Sequence, residues 1–192
     1  MTRTNLKRPL GLILLMLWVA IGSFFLGRAF APRTSSSPPA PVQERRDLET
    51  TTRMVRLYFA APTADGLQEE ERSISRGASF VEEAKQTVAE LIKGPRNGLA
   101  PTLPSGVELR QLYIDGRGVA YVDFTRDIQV KHPGGSSGEL LTIYSIVNTL
   151  AANFDQIQRV KILVEGNEVL TLAGHIDTRH PFAPRYSFER VR

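Results

Sequence analysis

The last third of the chain contains the stretch that decides the fold. It reads GELLTIYSIVNTL at residues 138–150, VKILVEG at 160–166 and LTLAGHID at 170–177. The first segment has the apolar spacing of an amphipathic helix, and the other two have the apolar, β-branched composition of strands. We expect the helix to bury six side chains: Leu140, Ile143, Tyr144, Val147, Leu150 and Ala151.

Two hairpins are predicted in the second half of the chain. Residues 160–165 and 169–172 flank the turn sequence GN, and residues 107–115 and 119–125 meet at the turn sequence DGRG. Glycine beside Asn or Asp between apolar runs is typical of a hairpin turn.

A further strand pair precedes these hairpins. Residues 54–60 alternate so that Val55, Leu57 and Phe59 point inward, and a short second strand is predicted at 72–75 after the turn sequence DG.

Both predicted helices begin with a Ser-x-x-Glu motif, Ser79 with Glu82 and Ser136 with Glu139. In a capping box the serine oxygen and the glutamate each satisfy a free backbone donor of the first turn. The first helix should stop at Gly94, where glycine provides a left-handed cap before proline. Its apolar face should consist of Phe80, Val81, Ala84, Val88, Leu91 and Ile92.

The predicted order of elements is β-β-α-β-β-α-β-β. This order indicates an α+β domain with a single mostly antiparallel or mixed sheet and two helices packed on one face of it.

The N-terminal region 1–31 predicts a signal anchor. Arg3, Lys7 and Arg8 precede an uncharged, apolar run at 9–27. About 18 to 20 apolar residues are enough for a helix to cross a bilayer. Positive charge before the span favours a cytoplasmic N-terminus. We therefore expect one transmembrane helix in the plasma membrane and a C-terminal domain outside it, in the periplasm or its equivalent.

A cleavable signal peptide is the alternative. Ala29 and Ala31 have the small-x-small spacing of a cleavage site. Pro32 would become the first mature residue, which disfavours cleavage, and the apolar run is longer than a usual signal core.

The rest of the chain divides into a linker, a folded domain and a tail. Residues 32–53 are rich in proline, serine and charge, a composition that does not bury enough apolar surface to fold. The folded domain is predicted at 54–182 and the tail at 183–192. Three of the 24 basic residues precede position 28, so 21 basic and 20 acidic residues remain outside the membrane. This balance does not indicate nucleic-acid binding.

Six segments, in this order and spacing, resemble the GerMN family of sporulation and spore-germination domains. The resemblance covers roughly residues 54–182 and implies a small, non-catalytic α+β module of the bacterial envelope, with no catalytic residue and no cofactor. The segments are VRLYF (55–59), KGP (93–95), LPSG (103–106), AYVDF (120–124), the helix at 138–150 and the strands with their polar end at 160–177.

The polar sequence after the last strand is the first candidate site. His175 and Asp177 point the same way in an extended segment, and His180 follows. We interpret Asp123, His175 and Asp177 as a structural polar cluster that ties down the chain. A metal site with Asp123 or Glu139 is the alternative, although catalytic zinc requires three fixed protein ligands.

Two kinds of hydrolase are weighed against this interpretation. Ser136, Ser137 or Ser145 could act with the histidine and aspartate after the last strand, but no Gly-x-Ser-x-Gly elbow is present. Alternatively, Asp123 with Asp127 and Glu139 could converge as paired carboxylates. We predict neither, because Asp127 has the pattern of a solvated loop charge and Glu139 that of a helix cap.

Two loops are candidates for ligand binding. Lys131, His132 and Ser136 lie just before the N-terminus of the second helix, which attracts anions. Arg96 and Asn97 lie in the loop after the first helix. If the two loops are neighbours, they could hold a carboxylate or a sugar; the alternative is ordinary loop composition.

We therefore expect a membrane-anchored, extracytoplasmic, non-catalytic module that binds envelope proteins or peptidoglycan. One alternative is a homo-oligomer that builds rings or arrays, and the other is an envelope hydrolase that acts on peptidoglycan.

Overall fold

The structure, a computed structural model, describes residues 51–63 and 65–187, all within one unit that spans 42–192. The predicted anchor at 1–31 and the linker up to residue 50 lie outside the described residues. In the described part of the chain, no helix has the length and apolar character needed to cross a membrane.

The described chain is a mixed α+β fold, as predicted, with the predicted order of elements and one short helix added. The elements are β1 (Thr52–Ala60), β2 (Leu67–Ser75), α1 (Phe80–Ile92), β3 (Leu109–Ile114), β4 (Val119–Phe124), α2 (Asp127–Val130), α3 (Ser136–Asn153), β5 (Arg159–Val164) and β6 (Asn167–Glu168).

The strands form two sheets, so the prediction of a single sheet is wrong. β1 and β2 form an antiparallel pair, and β3, β4, β5 and β6 form a second sheet in that order. Within the second sheet β4 and β5 run parallel and are joined through α3. The alternation of a strand predicts which side chains are buried but not which strand lies beside it, and this limit explains the error.

Helix α3 closes the free edge of β1, which is why the two-stranded sheet stops there. The Tyr58 N–H donates to Thr149 Oγ1 at 3.0 Å, and the Arg56 N–H donates to Asn153 Oδ1 at 2.9 Å. Asn153 also donates to the Arg56 carbonyl at 2.7 Å. These side chains satisfy backbone groups that another strand would otherwise pair with.

The two long helices, α1 and α3, differ in how much of their surface is buried. α1 begins at the predicted cap, with Ser79 Oγ accepting from the Glu82 N–H at 3.2 Å, and buries one stripe that includes Ala84 and Val88. Phe80 is 39% exposed and does not belong to that stripe. α1 also buries two polar side chains, Glu83 and Thr87. α3 packs against β1, β5 and α1, so it buries more of them: Glu139, Thr142, Ser145, Asn148 and Thr149.

The predicted strand at 169–172 is absent, and a shorter strand just before it takes the last place in the order. β6 contains only two residues, Asn167 and Glu168, and residues 169–172 leave the sheet. The Leu172 and Ala173 N–H groups bond to the carboxylate of Glu139 instead of to a strand. Earlier in the chain, β2 begins at Leu67, five residues before the start of the predicted strand at 72–75, and is therefore longer than predicted.

Candidate functional site

Glu139 organises the polar centre of the domain. Its Oε1 accepts from the N–H groups of Leu172 and Ala173 at 2.7 and 2.9 Å, and its Oε2 accepts from those of His175 and Ile176 at 2.8 and 3.2 Å. Its side chain is completely buried. Burial acts to raise the pKa of Glu139, but the four N–H donors outweigh it, and the pKa is lowered. The carboxylate thus folds residues 172–176 around itself.

This arrangement overturns the predicted second capping box. The N-cap of α3 is Gly135, with φ of 80°, and no side chain caps the helix. Glu139 points into the core rather than back to the N-terminus, because the four N–H groups from the distant segment satisfy its charge.

The predicted cluster of Asp123, His175 and Asp177 is divided among three places. His175 lies beside Glu139, with Nδ1 3.5 Å from Oε2, and its side chain is 46% exposed. Asp177 instead binds Arg179, whose side-chain bonds lower the pKa of the carboxyl most. The interpretation of these residues as structural supports stays a prediction.

Asp123 is buried in β4, one residue before that strand ends. Its Oδ2 accepts from Arg110 Nη1 at 2.9 Å, and its Oδ1 accepts from the Gly166 N–H at 2.7 Å. Gly166 and Glu165, both with positive φ, form the tight turn between β5 and β6. Asp123 therefore links β3 and β4 to this turn.

His132 fastens the loop before α3 to the helix. The Thr142 hydroxyl donates its proton to the Thr102 carbonyl, so it accepts from His132 Nε2 at 3.1 Å. His132 Nδ1 in turn accepts from the Gly134 N–H at 3.0 Å. These partners fit a neutral imidazole with its proton on Nε2. Burial lowers the pKa of His132, Glu139 acts to raise it, and His175 lowers it further.

The five predicted ligand-binding residues do not form one site through contacts with one another. The N–H groups of Arg96 and Asn97 donate to Glu70 Oε2 at 2.9 and 3.1 Å, and Lys131 pairs with Asp127 at 2.7 Å. Ser136 is exposed at the first turn of α3. Within the described residues, no hydrogen bond or ion pair joins the Arg96–Asn97 loop to the other three residues. Their role in binding stays a prediction.

A buried Arg72–Glu70 pair was missed in the sequence. Arg72 binds Glu70 and also donates to the carbonyls of Glu90 at 2.9 Å and Gly94 at 3.0 Å. Since Glu70 and Arg72 are two residues apart in β2, they share one face of the strand. This two-residue spacing of opposite charges is the sequence feature that could have indicated the buried pair. A run of charges in a strand, however, usually indicates a solvated surface.

Lys161 is a second buried charge that was missed. It is 2% exposed; its Nζ donates to the Thr178 carbonyl at 3.2 Å and to the Arg179 carbonyl, and it lies 3.1 Å from Glu168 Oε2. It holds the segment after residue 176 against β5.

Tyr113 and Tyr121 form an aromatic surface on the outer face of the second sheet, here called the tyrosine face. They are opposite each other in β3 and β4, and their rings stack at 4.6 Å with an angle of 4°. Tyr113 is 51% exposed. Burial raises the pKa of Tyr113, and so do the nearby groups Tyr121 and Glu168.

Chemically, most of the acidic candidates already have internal partners. Asp123 and Glu139 accept from backbone or arginine donors, and the Ser145 hydroxyl donates to the Thr142 carbonyl at 2.9 Å inside α3. Among the described residues, no group of three His, Asp or Glu side chains is placed to hold a metal ion.

Comparison with known proteins places this architecture in a family. The family model for sporulation and spore germination, Germane, matches residues 56–170. No curated protein sequence matches the chain.

Similar solved structures share the fold. A protein of Clostridium perfringens with a provisional lipoprotein assignment is 23% identical, with a TM-score of 0.51, over 70% of this chain and 89% of that one. The first GerMN domain of the sporulation protein GerM from Bacillus subtilis is 20% identical, with a TM-score of 0.53, over 70% of this chain and 99% of that one. The tandem GerMN domains of GerM are 19% identical, with a TM-score of 0.54, over 69% of this chain and 46% of that one.

The family match spans more than half of the chain, and the fold is similar to that of solved GerMN domains over 69% and 70% of the chain. The chain therefore belongs to the Germane family of sporulation and spore-germination domains, as its resemblance to GerMN sequences predicted.

Proposed function

We propose that this chain is a non-catalytic binding module of the cell envelope and that its tyrosine face binds the glycan of the cell wall. The single observation that carries the proposal is the stacked pair Tyr113 and Tyr121, of which Tyr113 is half exposed. Tyrosine offers a large rigid surface with a polar end, which suits it to binding surfaces.

The charges around the tyrosine face favour a neutral ligand. Arg110 pairs with Asp123 at 2.9 Å, and Lys161 pairs with Glu168 at 3.1 Å. Because Asp123 and Glu168 each have a basic partner, neither of these two carboxylates is left as an unpaired charge for an ionic ligand. A sugar ring can stack on an aromatic side chain and exchange hydrogen bonds with such fixed polar groups, and sheet faces of other folds bind oligosaccharides.

The internal bonding of the carboxylates supports binding rather than catalysis. A general acid or base must reach the substrate. Glu139 uses both oxygens on backbone N–H groups, and Asp123 uses both on Arg110 and Gly166. Engagement of these groups with a substrate would first require breaking bonds that hold the fold.

The sequence supports an extracytoplasmic position. The basic residues before position 9 and the apolar run at 9–27 are the pattern of a single-pass signal anchor in the plasma membrane. A linker rich in proline would hold the domain away from the membrane, where peptidoglycan and other envelope proteins are accessible.

The test is co-sedimentation of the full chain, in mild detergent, with purified peptidoglycan sacculi. We expect Tyr113→Ala to weaken binding about tenfold, because it removes the exposed half of the stacked pair. Soluble glycan strands without peptide stems should compete with the wild-type chain.

Tyr186→Ala is the matched control, because Tyr186 is 54% exposed but packs on Tyr58, outside the tyrosine face. Equal binding by Tyr113→Ala and wild type, with both folded by circular dichroism, would contradict the proposal.

A further inference from the structure

Asn97 and Gly98 form the only Asn-Gly pair in the sequence. Both residues are exposed in the loop between α1 and β3. The backbone nitrogen that follows an asparagine can attack the side-chain amide, and glycine at that place has no side chain to obstruct the approach. The pair is therefore a candidate for a reaction of the chain with itself.

The two reacting groups are free. No hydrogen bond within the described residues holds the Asn97 side-chain amide or the Gly98 N–H. A Cβ atom added to Gly98 would meet no atom within 4 Å apart from its chain neighbours, so the space around this residue is open. The Asn97 side chain can therefore rotate toward the Gly98 nitrogen without losing a bond.

The other asparagines of the described chain are held in place. Asn148 and Asn153 each use both atoms of the side-chain amide on the backbone of another segment. Asn167 donates from Nδ2 to the Glu165 carbonyl at 2.9 Å. Each of the three is followed by a residue larger than glycine. Among the described residues, Asn97 alone combines a free amide with a glycine neighbour.

The main chain just before the pair is fixed. The N–H groups of Arg96 and Asn97 donate to Glu70 Oε2 at 2.9 and 3.1 Å, and Glu70 is 4% exposed. A fixed main chain with a free side chain leaves few rotations between the Asn97 amide carbon and the Gly98 nitrogen. Such restriction favours a reaction between two groups of the same chain.

We propose that Asn97 is a site of spontaneous modification, at which the chain converts the asparagine to aspartate and isoaspartate. The Gly98 nitrogen attacks Cγ of Asn97 and loses its proton. The new N–Cγ bond closes a succinimide ring, the Cγ–Nδ2 bond breaks, and Nδ2 leaves as ammonia. Water then opens the ring at either carbonyl, so aspartate and isoaspartate both form at position 97. The reaction consumes one water molecule and needs no other reagent.

The modification adds a negative charge beside a buried one. The Asn97 N–H donates to Glu70, so a carboxylate on the same residue lies near the Glu70 carboxylate, and like charges repel. In isoaspartate the main chain also gains a methylene group. We therefore expect the modification to weaken the N–H bonds to Glu70 and to loosen the loop after α1. This proposal does not depend on the tyrosine face.

The test is storage of the full chain, in mild detergent and weakly alkaline buffer, because the Gly98 nitrogen must lose its proton to attack. Pepsin digestion in acid and mass spectrometry then follow each asparagine. We expect the amide of Asn97 to be lost, with isoaspartate among the products, while Asn167 keeps its amide. Asn167 is the matched control because it is also exposed but is followed by Glu168. Isoaspartate forms only through the ring, so its presence separates this route from direct hydrolysis.

Asn97→Gln should abolish the conversion, because its longer side chain does not close the same five-membered ring. Gly98 itself is left in place, since its φ of 76° would strain any other residue. Hydrogen exchange at 94–99 should be faster in the stored wild-type chain than in the stored Asn97→Gln variant. An Asn97 amide that lasts as long as that of Asn167, or conversion to aspartate alone, would overturn the proposal. Equal exchange at 94–99 in the modified chain and the variant would overturn the loosening of the loop.

Discussion

Glu70 in β2 and Glu139 in α3 are both buried, and each gathers backbone N–H groups from a loop, but their charges are balanced differently. Glu70 has the guanidinium of Arg72 beside it and accepts from two N–H groups, those of Arg96 and Asn97. Glu139 accepts from four N–H groups. The basic group beside it is His175, whose Nδ1 lies 3.5 Å from Oε2 and whose side chain is half exposed. A buried carboxylate can thus be stabilised by one cation together with two backbone N–H groups, as at Glu70, or mainly by four backbone N–H groups, as at Glu139.

The difference has a consequence for the chain around each glutamate. The Glu70 pair fixes the end of α1, because Arg72 also bonds to the carbonyls of Glu90 and Gly94. Glu139 instead determines the path of residues 172–176, which have no strand partner. We therefore expect this segment to depend on one side chain more than the Gly94–Asn97 loop does.

Replacement of Glu139 should give the largest effect. Glu139→Ala leaves four buried N–H groups without an acceptor, so we expect a loss of about 3 to 5 kcal/mol in the free energy of unfolding. Denaturant unfolding measures the loss, and hydrogen exchange should rise most at 169–178. Glu108→Ala, an exposed carboxylate, is the control. A loss below about 1 kcal/mol would show that water replaces the carboxylate.

Removal of the cation beside Glu70 should have the next largest effect. Arg72→Met replaces the aliphatic part of the arginine but removes its charge, so Glu70 stays buried without a cation. We therefore expect the free energy of unfolding to fall by about 3 kcal/mol. Adding Glu70→Gln should recover part of it, because the amide oxygen still accepts from the Arg96 and Asn97 N–H groups. The double-mutant cycle measures the coupling, and an additive double mutant would mean that the two side chains do not stabilise each other.

A fall in pH should have the smallest effect on stability, and it should act on the region around Glu139 before it acts on the region around Glu70. Burial lowers the pKa of His132 below its ordinary 6.5, so the unfolded state takes up a proton first. Stability then falls as the pH drops from about 6.5 through the folded pKa, by at most about 1.4 kcal/mol per pH unit. The pKa values of Glu70 and Glu139 are lowered from 4.5, so their contributions are present above that pH and are lost only as the pH falls through the folded values.

The measurement is the free energy of unfolding between about pH 7 and pH 5, where His132→Gln should remove most of the slope. Hydrogen exchange should rise beside α3 before it rises in the Gly94–Asn97 loop. An identical slope in the His132→Gln variant would assign the acid sensitivity to another group.

Much of the fold followed from short-range patterns in the sequence. Val55, Leu57 and Phe59 are buried as their alternation predicts, and the turn after β3 lies where Asp115 and Gly116 predict it. In these cases the residues that make the decisive contact are within about four positions of each other, so a local pattern contains the information.

The two Ser-x-x-Glu motifs define the limit of that information. Ser79 caps α1, whereas Ser136 caps nothing and Glu139 enters the core. The motifs have the same spacing, and what separates them is the segment 172–176, more than 30 residues after Glu139 in the chain. No local pattern could reveal those four donors.

The sequence by itself determined the α+β class and most of the order of the elements, because periodicity and turn residues act over short distances. Its resemblance to GerMN sequences gave the family. Only the tertiary structure decided the division into two sheets, the parallel pairing of β4 with β5, and the partners of Glu70, Lys161 and Glu139. The physical reason is that a buried charge or an open strand edge is satisfied by whichever distant group the packed chain places beside it.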